Sequence, residues 1–227
     1  FKQFHINQQH CAMKVGTDGI LLGAWADVSD CQYILDMGTG TGLVALMLAQ
    51  RSHEHCQIEA VELDPLAAQQ AQENFKASPW HNRLHLTHQD VQTYCQKTAY
   101  QFDLIVANPP YFTQGVECKN DERALARYVQ QSHLDWLNWA ASCLSEKGKI
   151  SFVLPYEAGK TLINSTALYC IKQTDVITKT GKAPQRMLLT FSREHLPQVK
   201  DSLVIYNKNN QYTEEFIALT KAFYLKM

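Results

Sequence analysis

Tyr33-Ile34-Leu35-Asp36-Met37-Gly38-Thr39-Gly40-Thr41-Gly42 reads as a short apolar strand that passes an acid and enters three glycines at alternate positions. Leu43, Leu46, Met47 and Leu48 then recur at helical spacing, predicting a helix from Gly42 to about Arg51. A strand, a glycine turn and a helix in this order make the first half of a βαβ unit. Ile58 to Leu63 is the second strand, and Pro65 in a helix's first turn opens the next helix, Ala67 to Lys76. Leu84 to Thr87, Phe102 to Ala107 and Ile150 to Leu154 continue the strands, with an amphipathic helix from Leu134 to Leu144 before the last, closed by Glu146-Lys147-Gly148.

Past Pro155 the pattern changes. A helix is expected near Gly159 to Tyr169, then strands at Asp175–Thr178 and Arg186–Ser192 joined by a basic loop, which suits an antiparallel pair at a sheet edge. Leu203 to Tyr206 and a final helix near Thr213 to Leu225 follow. Before the first strand, Thr17 or Asp18 is placed to cap a helix through Ile20, Leu21, Leu22 and Trp25 that covers the sheet. The fold class expected is α/β and Rossmann-like: a mostly parallel, seven-stranded sheet with an antiparallel edge strand and helices on both faces. No Gly-, Pro- or Ser-rich linker interrupts it, so residues 1–227 read as a single domain, with a covering segment at 1–30, a core at 31–193 and a strand-and-helix extension at 194–227.

Composition narrows the class. An apolar fraction of 45% supports a full core, and no run of about 18 uncharged apolar residues is present to span a membrane. The chain opens at Phe1 rather than Met, and no basic-then-apolar leader is visible in it. Seven cysteines are scattered and never form Cys-x-x-Cys, the usage expected of reduced, packed thiols in a cytoplasmic protein. His53, His55 and Cys56 are the nearest approach to a metal cluster, and they read as a solvated loop, so no metal is expected. A net charge of −1 argues against indiscriminate coating of nucleic acid. Two local basic groups stand out, Lys172, Lys179, Lys182, Arg186 and Arg193, and Lys119, Arg123 and Arg127; each is either a solvated face or a docking face.

The glycine turn allows positive φ and close approach of a ligand, and the following helix presents free N–H groups. Its Gly-x-Gly-x-Gly spacing is not the Gly-x-Gly-x-x-Gly of dinucleotide enzymes. Asp36, two residues before Gly38, would repel a pyrophosphate and pair with the ammonium of a methionine moiety. Glu62 ends the second strand, where a carboxylate reaches ribose hydroxyls. Leu63 can lie on an adenine ring. Asp90, beside Val91 past the third strand, either accepts from an adenine amino group or caps a helix. Together these point to S-adenosyl-L-methionine.

Asn108-Pro109-Pro110-Tyr111 ends the fourth strand. An exocyclic amine on a base is a poor nucleophile because its lone pair is delocalised into the ring. Asn108 Oδ1 and the Pro109 carbonyl can each accept one N–H, favouring sp3 geometry as charge develops, and Tyr111 can stack on the base. A base within a helix or loop must leave its stack to reach such a pocket. Phe112 either extends that platform or packs in the core.

These motifs resemble class I S-adenosylmethionine-dependent methyltransferases, and Asn108 to Tyr111 resembles their amino-methylating branch. Phe4, Gln8 to Met13, Lys14 to Trp25, and Tyr212 to Phe216 through Phe223-Tyr224-Leu225 are similar to the two ends of the bacterial tRNA1(Val) adenine-37-N6 methyltransferases. The resemblance implies methylation of the adenosine 3′ to the anticodon, with the anticodon stem-loop of a tRNA as partner and a monomeric enzyme. By it, Asp36, Gly38, Gly40, Gly42, Glu62, Leu63, Asp90, Val91 and Asn108 bind the cofactor, Thr17 closes over it, and Asn108, Pro109, Pro110 and Tyr111 hold the adenine. The alternative acceptor is a protein glutamine, whose N5 enzymes usually carry a separate domain before the core; only about thirty residues precede the first strand here. A nicotinamide dehydrogenase is opposed by Asp36, and a noncatalytic RNA-binding module by the intact Asn108–Tyr111 turn.

Overall fold

The structure, a computed structural model, describes residues 1–8, 16–110 and 132–225. Tyr111, Phe112, residues 9–15 and the basic residues Lys119, Arg123 and Arg127 lie outside the described residues.

The described chain runs α1 (Thr17–Trp25), β1 (Tyr33–Met37), α2 (Leu43–Arg51), β2 (Gln57–Glu62), α3 (Pro65–Lys76), β3 (Leu84–His88), α4 (Val91–Lys97), β4 (Phe102–Ala107), α5 (His133–Ser142), β5 (Leu144–Pro155), α6 (Tyr156–Ser165), β6 (Tyr169–Lys179), β7 (Arg186–Ser192), β8 (Val199–Tyr206) and α7 (Glu214–Thr220). All eight strands join one sheet in the order β3-β2-β1-β4-β5-β7-β6-β8. The order reverses between β1 and β4, which places a crevice at the carboxyl ends of those two strands. β7 runs antiparallel to both β5 and β6, supplying the expected antiparallel pair, and β8 lies parallel to β6 outside it. The sheet thus has one strand more than the seven expected, because β8 in the C-terminal extension pairs with the core.

Strand alternation divides the core between the two faces. Ile34, Ile58, Leu104, Val106 and Leu188 meet α1, α2 and α3 on one side. Leu35, Met37, Ile105, Phe152 and Leu189 meet α5 and α6 on the other, with Trp136 fully buried there. Phe216 and Phe223 from the C-terminus and Phe4 from the N-terminus pack on the α1 side, so both ends of the chain close the same face. Lys2 N donates to the Phe223 carbonyl at 2.9 Å.

Three local expectations are corrected. Gly16, not Thr17 or Asp18, occupies the N-cap of α1 and makes no side-chain bond. Asp18 instead meets Arg186 Nε at 2.9 Å, a tertiary contact that local capping rules do not include. Glu146-Lys147-Gly148 does not close a helix. α5 ends at Ser142, and these residues are already part of β5. A Cβ on Gly148 would sit 2.7 Å from the Phe102 carbonyl, so this glycine serves a close passage beside β4, where the register shifts. The helix expected at Gly159–Tyr169 lies earlier, at Tyr156–Ser165, because Tyr169 already belongs to β6.

Candidate active site

At the end of β1 the backbone is strapped onto β2: Gly38 N and Thr39 N both donate to the Val61 carbonyl, at 2.8 and 3.0 Å. Gly38, Gly40 and Gly42 all have positive φ (70°, 59° and 86°). Gly42 is the N-cap of α2, and a Cβ there would lie 2.5 Å from Phe75 Cε1. Gly42→Ala therefore combines left-handed strain with overpacking against a buried ring and is expected to destabilise the protein by about 3 kcal/mol. Thermal melts should show a fall of about 10 °C. Gly40 differs: among the described residues no atom lies within 4 Å of the place its Cβ would take, so they leave its surface open for a ligand to approach.

Two acids brace this turn from below. Asp36, 1% exposed, accepts from Thr39 Oγ1 at 2.6 Å and Ala45 N at 3.1 Å, both through Oδ2. Burial pushes its carboxyl up to about 7, against these two bonds and with the help of the nearby Glu62 charge. Glu62 accepts from Gly40 N at 2.8 Å through Oε2 and from Asp64 N at 2.9 Å through Oε1. Burial raises its pKa too, with these backbone bonds opposing. Each carboxylate oxygen has two lone-pair directions, so both acids keep acceptor capacity toward a ligand.

Asn108 follows Ala107, which pairs with Met37 on one side and Phe152 on the other. The strand register thus carries Asn108 beside the glycine turn. Asp36, Gly38, Gly40, Thr41 and Asn108 line one shared cavity, with Gly16 and Gly19 of the α1 end forming another wall. Pro109 is buried and Pro110 half-buried. Asp90 caps α4, its Oδ1 accepting from Thr93 N at 2.9 Å, so the capping alternative is realised. Val91 beside it is buried. Leu63 is half-buried, and its carbonyl accepts from His88 Nε2 at 2.9 Å. Thr17 is exposed and lines a different cavity, on the far side of the α1 N-terminus. Another cavity, of about 270 Å³, lies at the amino ends of the strands, by Tyr33, Gln57 and Phe102. That is the end of an α/β sheet from which ligands are ordinarily absent.

Sequence reasoning missed three supports. Thr39 holds the Asp36 carboxylate. Asn74, 2% exposed on α3, donates to the Thr41 carbonyl at 2.8 Å and to the Asn7 carbonyl at 3.0 Å, and accepts from Asn7 N at 2.9 Å. Its signal was a polar residue beside Ala71 and Phe75 on the apolar stripe of a helix. His133, the first residue of α5, hydrogen-bonds to the Pro110 carbonyl, and burial lowers its pKa, so it is neutral at neutral pH.

A crevice at the strand-order reversal, an acid-braced glycine turn and an asparagine facing it are the frame in which the comparisons with known proteins fall. Residues 15–182 match the model of the methyltransferase small domain family. Over 226 residues the chain is 71% identical to the tRNA1(Val) (adenine(37)-N6)-methyltransferase of Haemophilus influenzae, covering all of this chain and 97% of that protein. The chain belongs to this family. A further member, the protein of the same name from Pasteurella multocida, is 62% identical, with 99% and 95% covered. The family fold extends well beyond it: a predicted O-methyltransferase, Atu636 from Agrobacterium tumefaciens, superposes with a TM-score of 0.71 at 18% identity over 90% of this chain and 96% of its own.

Proposed function

We propose that this chain methylates the N6 amino group of adenosine 37 in the anticodon stem-loop of tRNA1(Val), with S-adenosyl-L-methionine as donor. The observation that carries the reading is the cavity shared by Asn108 and the glycine turn, together with the substrate named for relatives 71% and 62% identical. The residues suit that cofactor: Gly40 leaves space where a side chain would stand, and Asp36 is a buried acid at the wall of the cavity. When bound, S-adenosyl-L-methionine supplies a methyl group on a positively charged sulfur.

In this reading Asp36 faces the ammonium, Glu62 accepts from ribose hydroxyls while retaining the Gly40 N–H, and Leu63 with Val91 flanks the adenine ring. Asp90 spends Oδ1 on its helix, leaving Oδ2 for the adenine amino group. Gly16 and Gly19 wall the site at the α1 end, and Thr17, which lines the neighbouring cavity, takes no part in this reading. Asn108 Oδ1 and the Pro109 carbonyl accept the two N–H groups of the target amine, and Tyr111 stacks on its ring. This stabilises charge on the nitrogen and aligns it for attack, which is why no strong base is required. The product ammonium is acidic and loses its proton afterwards. His133 steadies the turn through the Pro110 carbonyl.

The reading includes action as a monomer in the cytoplasm. Its support is the tRNA substrate named for the relatives. Among the described residues no helix is long and apolar enough to cross a membrane.

Bulk bacterial tRNA incubated with the protein and labelled S-adenosyl-L-methionine should yield labelled N6-methyladenosine after digestion to nucleosides and mass spectrometry. The label should map to position 37. Absence of label from every nucleoside, in protein shown to bind the cofactor, would redirect the search to a protein glutamine.

A further inference from the structure

A second cavity, of about 220 Å³, opens on the other side of the α1 N-terminus from the glycine turn. Gly16 and Gly19 at the start of α1 face the cofactor cavity, while Thr17, Asp18 and Leu21 face the second one. One helix therefore separates the two, a wall about 10 Å across.

Its lining is aromatic on one side and polar on the other. Tyr206 and Tyr212 stack with ring centroids 4.9 Å apart and planes 22° apart, and Tyr212 continues onto Phe216 at 4.9 Å. Tyr224 completes this wall. Opposite stand the Gln185 amide and the Arg186 guanidinium, the latter held by Asp18 at 2.9 Å. Gln185 is exposed, and Tyr212 is 37% exposed. On the turn between Thr178 and Gln185 of the lining, Lys182 is exposed, and Lys179 Nζ donates to Asn210 Oδ1 at 2.6 Å. The turn is anchored beside the rings by the bond from Thr180 N to the Tyr206 carbonyl, at 2.9 Å. The mechanism uses none of these rings.

We infer that this cavity is a nucleobase subsite, in which the Tyr206 ring, backed by Tyr212 and Phe216, stacks on a base neighbouring the methylated adenosine while Lys182 and Lys179 of the adjoining turn face its phosphates. The inference rests on the proposed RNA substrate. Flat π-faces with an adjacent amide and guanidinium match a base, which offers a face to stack on and a polar edge to bond. Adjacency across one helix matches a chain that turns one nucleotide into the catalytic cavity and must anchor the next.

The test uses the full chain with stem-loop RNAs carrying 2-aminopurine at either nucleotide flanking the target adenosine. Tyr206→Leu keeps apolar bulk against Tyr212 and removes the ring face, and Tyr206→Phe keeps the face. With the wild type and Tyr206→Phe, fluorescence at one flanking position should be quenched on binding. With Tyr206→Leu the quench should vanish, RNA affinity should fall about tenfold, and the calorimetric affinity for S-adenosyl-L-methionine should stay unchanged, which also reports a folded protein. Quenching that persists in Tyr206→Leu, or unaltered RNA affinity while methylation continues, would overturn the subsite alone. Wild-type protein that methylates no RNA would remove the reading beneath it.

Discussion

Replacing Asn108 with alanine is expected to lower kcat for tRNA methylation by about 10²- to 10³-fold, the loss typical of removing one preorganised partner of transition-state charge. Asn108 is half-buried, stands at the end of a central strand and belongs to the cavity of the glycine turn, yet the bonds that hold that turn come from Asp36, Glu62, Val61 and Asn74. The turn should therefore survive the substitution, and calorimetry should find S-adenosyl-L-methionine bound within a few-fold of its original affinity. Single-turnover rates separate the two quantities. A variant that loses cofactor affinity in step with activity would show that Asn108 holds the cofactor and does not orient the amine.

The second large effect belongs to Asp36, whose carboxyl titrates near pH 7 because it is buried. A cationic ammonium docks on the ionised form only, so cofactor affinity should fall about tenfold per pH unit below 7 and level off above it. Proton release on binding, measured in buffers of different ionisation enthalpy, should follow the same curve. Stability runs the opposite way. With the folded pKa above the ordinary 3.8, this group's contribution is fully present below pH 4 and is lost as pH rises through 7. Asp36→Asn keeps an acceptor for Thr39 and Ala45 and never ionises. In the absence of cofactor it should be more stable than wild type at pH 8, by up to about 4 kcal/mol, and indistinguishable at pH 4 in urea unfolding. Its cofactor affinity should be weak and flat with pH. A pH-dependent affinity that persists in Asp36→Asn would assign the linkage to another group.

Much of the frame was legible because it rests on local rules. The glycine turn, the acid ending β2 and the Asn-Pro-Pro turn at the end of β4 each follow from strand length and turn chemistry, and the structure brings Asp36, Gly38, Gly40 and Asn108 around one cavity. What escaped depends on contacts distant in sequence. Nothing near Asp18 announces Arg186, 168 residues away, so the α1 cap was misassigned. Gly148 looks like a helix stop until the Phe102 carbonyl is seen beside it. β8 reads as an appendage because its partner, β6, had been recognised only over Asp175–Thr178, whereas their pairing runs from Lys172 to Lys179. The basic groups illustrate the same limit: Arg186 is engaged by Asp18, while Lys182 is exposed on its turn, and charge counting treats them alike.

Asn74 shows how far the demands of such a site spread. Its side chain must receive one proton from the Asn7 N–H and give two, to the Asn7 and Thr41 carbonyls. A backbone N–H only donates, so the orientation of the amide is settled without ambiguity. Aspartate has the same shape and would turn a carboxylate toward two carbonyl oxygens; leucine has similar bulk and would leave three backbone groups without this partner. Size, outline and proton inventory are thus all specified at a position that touches neither donor nor acceptor of the methyl group. Tolerance to mutation in this protein is accordingly governed by who holds the glycine turn, and the boundary of the catalytic apparatus lies one shell of side chains further out than its chemistry.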